Sequence, residues 1–122
     1  MKTILFIEDE PTLQKTVGQV LEQEDYEIKS ALDGEIGLQL AKKEKPDLIL
    51  LDLILPKLDG FRVLEELKKD EMTKNIPVIV LTNLESEADV ERAMELGATT
   101  YLVKANYELE EVITKIKQVL SS

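Results

Sequence analysis

The chain has 122 residues, 43% of them hydrophobic, a formal net charge of −10, and neither histidine nor cysteine. That length suits one domain with one core. No apolar run is long enough to span a bilayer and the N-terminus lacks a signal peptide's pattern, so a cytoplasmic protein without membrane contact is expected. Disulfides, thiol chemistry, a histidine general base and a histidine metal ligand are all excluded, and the acidic balance argues against direct nucleic-acid binding, which needs a basic surface.

In chain order, Thr3 to Ile7 is a compact apolar run that ends on Glu8, Asp9 and Glu10, which reads as a buried strand with an acidic carboxyl end. Pro11 suits the first turn of a helix, and Leu13, Val17, Val20 and Leu21 continue at helical spacing as far as Glu24. Gly18 inside that helix costs about 1 kcal/mol relative to alanine, with close packing the expected reason. Tyr26 to Ala31 alternates apolar and polar residues and suits an edge strand. Asp33 and Gly34 break the chain, a second helix covers about 35–44, and Pro46 stops it.

Leu48 to Leu51 is a second wholly apolar run, and it ends on Asp52. Pro56, Asp59 and Gly60 then turn the chain into a third helix marked by Phe61, Leu64 and Leu67. Pro77 introduces Val78 to Leu81, an apolar strand ending on Thr82. A polar helix follows over about 86–96, with Val90, Ala93 and Met94 as a thin apolar face and Gly97 as its C-terminal cap. Thr99 to Val103 is the fifth strand, followed by Lys104. Leu109, Val112, Ile113, Ile116, Val119 and Leu120 then mark an amphipathic last helix.

Strand and helix thus alternate five times, which predicts an α/β fold with a parallel sheet and helices on both faces. The first, third and fourth strands are apolar on both faces and belong in the middle. The second and fifth belong at the edges. The simplest order is 2-1-3-4-5, doubly wound and flavodoxin-like. All carboxyl ends of a parallel sheet lie on one side, so Glu8, Asp9, Asp52, Thr82 and Lys104 should converge there. Packed carboxylates repel one another, and a hard dication such as Mg²⁺, which takes carboxylate oxygens and keeps several waters, relieves the repulsion. Such a group suits phosphoryl chemistry: Asp52 as nucleophile, Lys104 and the metal neutralising phosphoryl oxygens, and Thr82 donating a hydrogen bond. Each residue alone has a plainer explanation. Asp52 could cap a turn, the acids at 8–10 could favour a helix N-terminus, Thr82 could cap the fourth helix, and Lys104 could be a solvated strand end. Their joint occurrence at four strand ends outweighs these.

The segments ILFIEDEP, LILLDLILPKLDGF, PVIVLTN and GATTYLVK together resemble the receiver domain of bacterial two-component response regulators (CheY-like) over the whole chain, 1–122, with no output domain. The resemblance implies that Asp52 accepts a phosphoryl group from a sensor histidine kinase or phosphotransfer protein. It implies Mg²⁺ as cofactor, bound directly by Asp9, Asp52 and the backbone carbonyl of Ile54, with Glu8 acting mainly through metal-bound water. Thr82 and Lys104 match the family's hydroxyl and lysine, and Tyr101 its aromatic switch. Phosphorylation would draw Thr82 toward the phosphoryl group, let Tyr101 turn inward, and change the affinity of the surface made by the fourth helix, fifth strand and fifth helix for a downstream protein. Such a chain is a signalling domain rather than an enzyme.

Departures from the family pattern carry further expectations. Ala105 replaces the usual proline after the lysine. Since a non-proline cis bond costs roughly 2.5–4 kcal/mol, a trans Lys104–Ala105 bond and an altered loop are expected. Ile54 and Leu84, two residues beyond Asp52 and Thr82, should hinder the hydrolytic water and lengthen the life of the acyl phosphate. GATTY at 97–101 lacks the acid of a charged dimer face, which favours a monomer, with phosphorylation-dependent dimerisation as the alternative. Three rivals are weaker. A phosphoester hydrolase of the haloacid dehalogenase type needs a second acid where Ile54 stands. A degenerate receiver acting only as an interaction module conflicts with the intact Asp52, Thr82 and Lys104. A flavin or dinucleotide binder lacks a glycine-rich loop after the first strand.

Overall fold

A computed structural model of the chain describes residues 1–121. It runs β1 (Thr3–Ile7), α1 (Pro11–Gln23), β2 (Glu27–Ala31), α2 (Gly34–Glu44), β3 (Leu48–Leu51), α3 (Gly60–Lys69), β4 (Val78–Thr82), α4 (Glu87–Glu95), β5 (Thr100–Val103), a 3₁₀ turn at Lys104–Asn106, and α5 (Leu109–Ser121). The helix starts follow local chemistry. Pro11 opens α1 where its missing N–H costs nothing. Asp33 accepts from the Ile36 N–H, Asp59 from those of Phe61 and Arg62, and Ser86 from that of Asp89, which satisfies donors that a helix start leaves unpaired.

The five strands form one parallel sheet in the order β2-β1-β3-β4-β5, the order expected from the apolar runs. Side chains alternate across it. Ile4, Phe6, Leu48, Leu50, Ile79, Leu81 and Leu102 pack with Val17 and Leu21 of α1 and with Val112, Ile113 and Ile116 of α5. Leu5, Ile7, Ile49, Leu51, Val78 and Val80 pack on the other face with Ala41 of α2, Phe61, Leu64 and Leu67 of α3, and Ala93 of α4. Both faces of β1, β3 and β4 are therefore covered, and no polar side chain is tolerable along them except near their ends.

The chain after β3 is held by two close approaches. A Cβ on Gly60 would stand 2.3 Å from the Leu53 Cα and 2.4 Å from the Asp52 carbonyl oxygen, and one on Gly34 would stand 1.9 Å from the Leu58 carbonyl oxygen. Only a residue without a side chain lets these backbones meet. The expected explanation for Gly18 fails, however. The nearest atom to a Cβ there would be the Ile28 Cγ2 at 3.9 Å, an ordinary contact, so close packing does not require that glycine.

The Lys104–Ala105 bond is trans, as are the other peptide bonds among the described residues, and the chain there forms the 3₁₀ turn. No helix among the described residues is long and apolar enough to cross a membrane.

These glycines give a paired prediction. Gly18→Ala should stabilise the protein by about 0.5–1 kcal/mol, because helix propensity improves without a clash. Gly60→Ala should destabilise it by about 1–3 kcal/mol through overpacking against backbone. Urea midpoints of the two variants would check both signs.

Candidate functional site

Register brings the charged residues together. Ile7 pairs with Leu51, so Glu8 and Asp52 leave the sheet side by side, and the Asp52 N–H donates to the Ile7 carbonyl at 3.0 Å. Thr82 pairs with Val103, which places Lys104 one residue beyond. The alternation that sends Phe6, Leu50 and Leu102 to the α1/α5 face gives Glu8, Asp52 and Lys104 the same parity.

Accordingly the Lys104 Nζ lies 3.0 Å from Asp52 Oδ2, 2.7 Å from Glu8 Oε1 and 3.6 Å from Glu10 Oε1. Glu8 is fully buried and Asp52 is 3% exposed, while the Lys104 side chain is 13% exposed. One ammonium thus serves several carboxylates. Lys104 donates a hydrogen bond to Asp52 and holds the buried Glu8 Oε1 in a close ion pair. Burial pushes the Glu8 carboxyl up to about 7, with Lys104 opposing the shift and Asp52 adding to it. Burial would pull the Lys104 ammonium down, but the Glu8 and Asp52 carboxylates outweigh it and hold it raised.

Asp9 is exposed, yet Glu8, Asp9 and Asp52 can each offer a carboxylate oxygen within 4.8 Å of the others. Carboxylate oxygens from Glu8, Asp9 and Asp52, set against a single lysine, form a donor set that fits a hard dication. Of the plainer explanations, turn capping by Asp52 holds, and the helix-capping ones fail. The Glu10 side chain makes no capping hydrogen bond to α1. Asp59, not Asp52, caps α3, and Ser86, not Thr82, caps α4. Asp52 Oδ1 does accept from the Ile54 N–H at 3.2 Å, which fixes its rotamer while Oδ2 faces Lys104.

Thr82 is fully buried and has the opposite parity, toward α3 and α4. Its hydroxyl oxygen lies 3.5 Å from the Leu84 N–H, a long contact. The Tyr101 hydroxyl donates to the Leu84 carbonyl at 2.8 Å, and the ring packs against the α2/α3/α4-side core. Burial, with Asp89 and Asp52 adding, pushes the Tyr101 hydroxyl up to about 12. Tyr101 therefore packs inward from the edge strand, with its hydroxyl held by the Leu84 carbonyl rather than left to water. Leu84 is half-buried against the same core, whereas Ile54 is 52% exposed and shields little of it. Two contributors escaped the sequence reading. Glu10, weighed there only as a helix-end acid, is an ion partner of Lys104, and Gln14 reaches the strand ends through its side chain. Neither type nor spacing signals such contacts; only the register reveals them.

This arrangement can be set beside known proteins. Residues 4–117 match the response regulator receiver domain. The chain belongs to that family. It is 41% identical over 98% of its length to the DNA-binding dual master transcriptional regulator RpaA of Synechocystis, covering 49% of that protein. It is 36% identical to protein PilH of Pseudomonas aeruginosa, covering 99% of each. The chain spans about half the length of several of the relatives it matches. Among solved structures, it is similar to the receiver domain of sensor histidine kinase PA1611 of P. aeruginosa, which has a magnesium ion coordinated in its active-site cleft. The TM-score is 0.89, with 28% identity over 99% of this chain and 98% of that one. This receiver is thus a signalling domain of two-component systems, with a CheY-like fold.

The raised Glu8 carboxyl makes stability depend on pH. Its ordinary value of 4.5 rises to about 7 on folding, so between these values the folded chain binds more protons than the unfolded one. Stability should therefore fall as pH climbs from about 4.5 through 7 in cation-free buffer. The loss should be about 1–3 kcal/mol, the lower end allowing for screening at the mouth of the site. Glu8→Gln should flatten the fall, which urea denaturation across pH would show.

Proposed function

We propose that this receiver is the phosphoacceptor of a two-component phosphorelay, with Asp52 as the residue that takes the phosphoryl group. The observation that carries this reading is Asp52 itself. It is a carboxylate nearly buried at the end of a central strand, oriented by the Ile54 N–H on one oxygen and paired with Lys104 on the other.

The chain contains no histidine, so the phosphohistidine donor lies outside these residues, on a sensor histidine kinase or a phosphotransfer protein. An Asp52 carboxylate oxygen attacks phosphorus, an O–P bond forms, and the donor's N–P bond breaks. Its electron pair stays on the imidazole, which then takes up a proton. Lys104 already contacts the nucleophile and is placed to follow negative charge onto the transferred oxygens. Glu8, Asp9 and Asp52, with the Ile54 carbonyl suggested by family resemblance, would hold Mg²⁺. When bound, the ion neutralises charge among the carboxylates and on the phosphoryl oxygens.

A phosphoryl group on Asp52 also competes for Lys104, loosening its hold on Glu8 and Glu10. Its oxygens can accept from the Thr82 hydroxyl. Thr82 contacts the Leu84 N–H, and the Leu84 carbonyl holds the Tyr101 hydroxyl. A shift of Thr82 therefore acts on the segment that fixes Tyr101, and so on the surface of α4, β5 and α5, where a downstream protein would bind. Since Ile54 and Leu84 offer the site no polar group to orient a water, the acyl phosphate should be long-lived. The lack of an acid in GATTY favours a monomer in the unphosphorylated state, without direct nucleic-acid contact by this domain.

Incubation with acetyl phosphate and Mg²⁺, read by intact-mass spectrometry, tests the acceptor. The wild type should gain one phosphoryl group and Asp52→Asn none. Gain by Asp52→Asn would refute the assignment. No gain by either, repeated with a panel of phosphorylated histidine kinases, would favour an interaction module that works without phosphorylation. In the same assay Ile54→Asn with Leu84→Glu should speed loss of the phosphoryl group by about a hundred-fold, the low end of what a positioned general base contributes. An unchanged decay would remove both residues from this role.

A further inference from the structure

The acidic segment that follows β1 has a holder outside the acidic cluster. Glu8, Asp9 and Glu10 are consecutive carboxylates lying beyond the last paired residue of the strand, where repulsion favours an open chain. Gln14, in the second turn of α1, directs its side-chain nitrogen at three backbone carbonyls: Ala31 at 2.7 Å, Glu8 at 2.8 Å and Phe6 at 3.3 Å. Three acceptors around one terminal atom identify it as the amide nitrogen, a donor with two hydrogens. The Glu8 N–H in turn donates to the Ala31 carbonyl at 3.0 Å, and the Gln14 N–H to the Glu10 carbonyl at 3.0 Å. Both backbone polar groups of Glu8 are thereby fixed, one directly by Gln14 and one at a carbonyl that Gln14 shares. Because the amide is uncharged, it holds this backbone without competing with Lys104 for the carboxylates.

We propose that Gln14 is a positioning residue for the metal-binding acids: by fixing the Glu8 peptide it keeps the Glu8 and Asp9 carboxylates turned toward Asp52. The inference rests on the reading of Glu8, Asp9 and Asp52 as a magnesium site. Groups that orient metal ligands from behind commonly matter about ten-fold or more to metal affinity, and a ligand on an irregular segment, such as Asp9, depends on its backbone most.

The test is magnesium chloride titrated calorimetrically into the full chain, without phosphodonor, for the wild type, Gln14→Met, Gln14→Asn and Val17→Ala. Gln14→Met keeps the length and helix propensity of the side chain but removes the donor, and should weaken magnesium binding about ten-fold. Gln14→Asn keeps the amide but draws it back from Glu8, and should lose affinity in the same direction; it also serves if Gln14→Met does not fold. Val17→Ala loosens the core packing of α1, where Val17 is buried, without touching Glu8, and should bind magnesium within about two-fold of wild type. Wild-type affinity in either Gln14 variant would overturn the proposal and leave Gln14 a tie of the fold. A loss in Val17→Ala equal to that in Gln14→Met would also overturn it, since any loosening of α1 would then suffice. Failure of the wild type to bind magnesium would sink the metal reading itself, and the inference with it.

Discussion

A parallel strand covered by helices on both faces has no place for charge except where it ends. β1, β3 and β4 meet that condition, and the consequence is visible in Glu8, Asp52 and Thr82, the three buried polar residues at their carboxyl ends. The pairing of Ile7 with Leu51 sets two of these side by side. Two nearby carboxylates with so little access to water are costly unless a cation joins them. Lys104, from the opposite edge of the sheet, supplies one charge against Glu8, Glu10 and Asp52. The site is held together by a neutralisation that is incomplete, one ammonium against three carboxylates. A dication or a rearranged lysine is what such a site is poised to accept.

The pleat divides the work. Glu8, Asp52 and Lys104 share the parity of the α1/α5 face, whereas Thr82 and Tyr101 share that of the α2/α3/α4 face. The two groups meet only past the carboxyl end of the sheet. Asp52 touches the ion group directly, while the Thr82 hydroxyl approaches the Leu84 N–H and Tyr101 donates to the Leu84 carbonyl. The inward Tyr101, held by the Leu84 carbonyl, means that the aromatic and the loop after β4 already form one unit. A displacement of that loop cannot leave Tyr101 where it is without breaking a half-buried hydrogen bond, worth about 1 kcal/mol.

The rival chemistries fare differently against this geometry. A phosphoester hydrolase would need an acid at position 54, and Ile54 is an exposed apolar side chain there. A dinucleotide or flavin site would need backbone donors after β1, and that place holds three acids, one of them fully buried. A lysine shared among buried carboxylates is a costly arrangement, which a module that only binds other proteins leaves unexplained. The connection from Lys104 to α5 is a short 3₁₀ turn, and Lys104 contacts Glu8 and Asp52 from its start.

The strands, helices and sheet order were legible because they follow from local rules: apolar runs bounded by Pro and Gly, helical spacing, and polar alternation at edges. Asp52, Thr82, Lys104 and the acids at 8–9 were legible because a parallel sheet sends every carboxyl end to one side, so that chain position alone predicts neighbourhood. Distances and partners were not. That Glu10 joins Lys104, that Tyr101 binds the Leu84 carbonyl, that Gln14 ties the ends of β1 and β2, and that Gly18 has room for a Cβ depend on register, on pleat parity and on where α1 settles over the sheet. These are contacts between residues far apart in the chain or pointing off a helix, and no local pattern encodes them. The sequence by itself determined which chemical groups arrive at the end of the sheet; the tertiary structure decided which of them touch, because only packing fixes the last few ångströms.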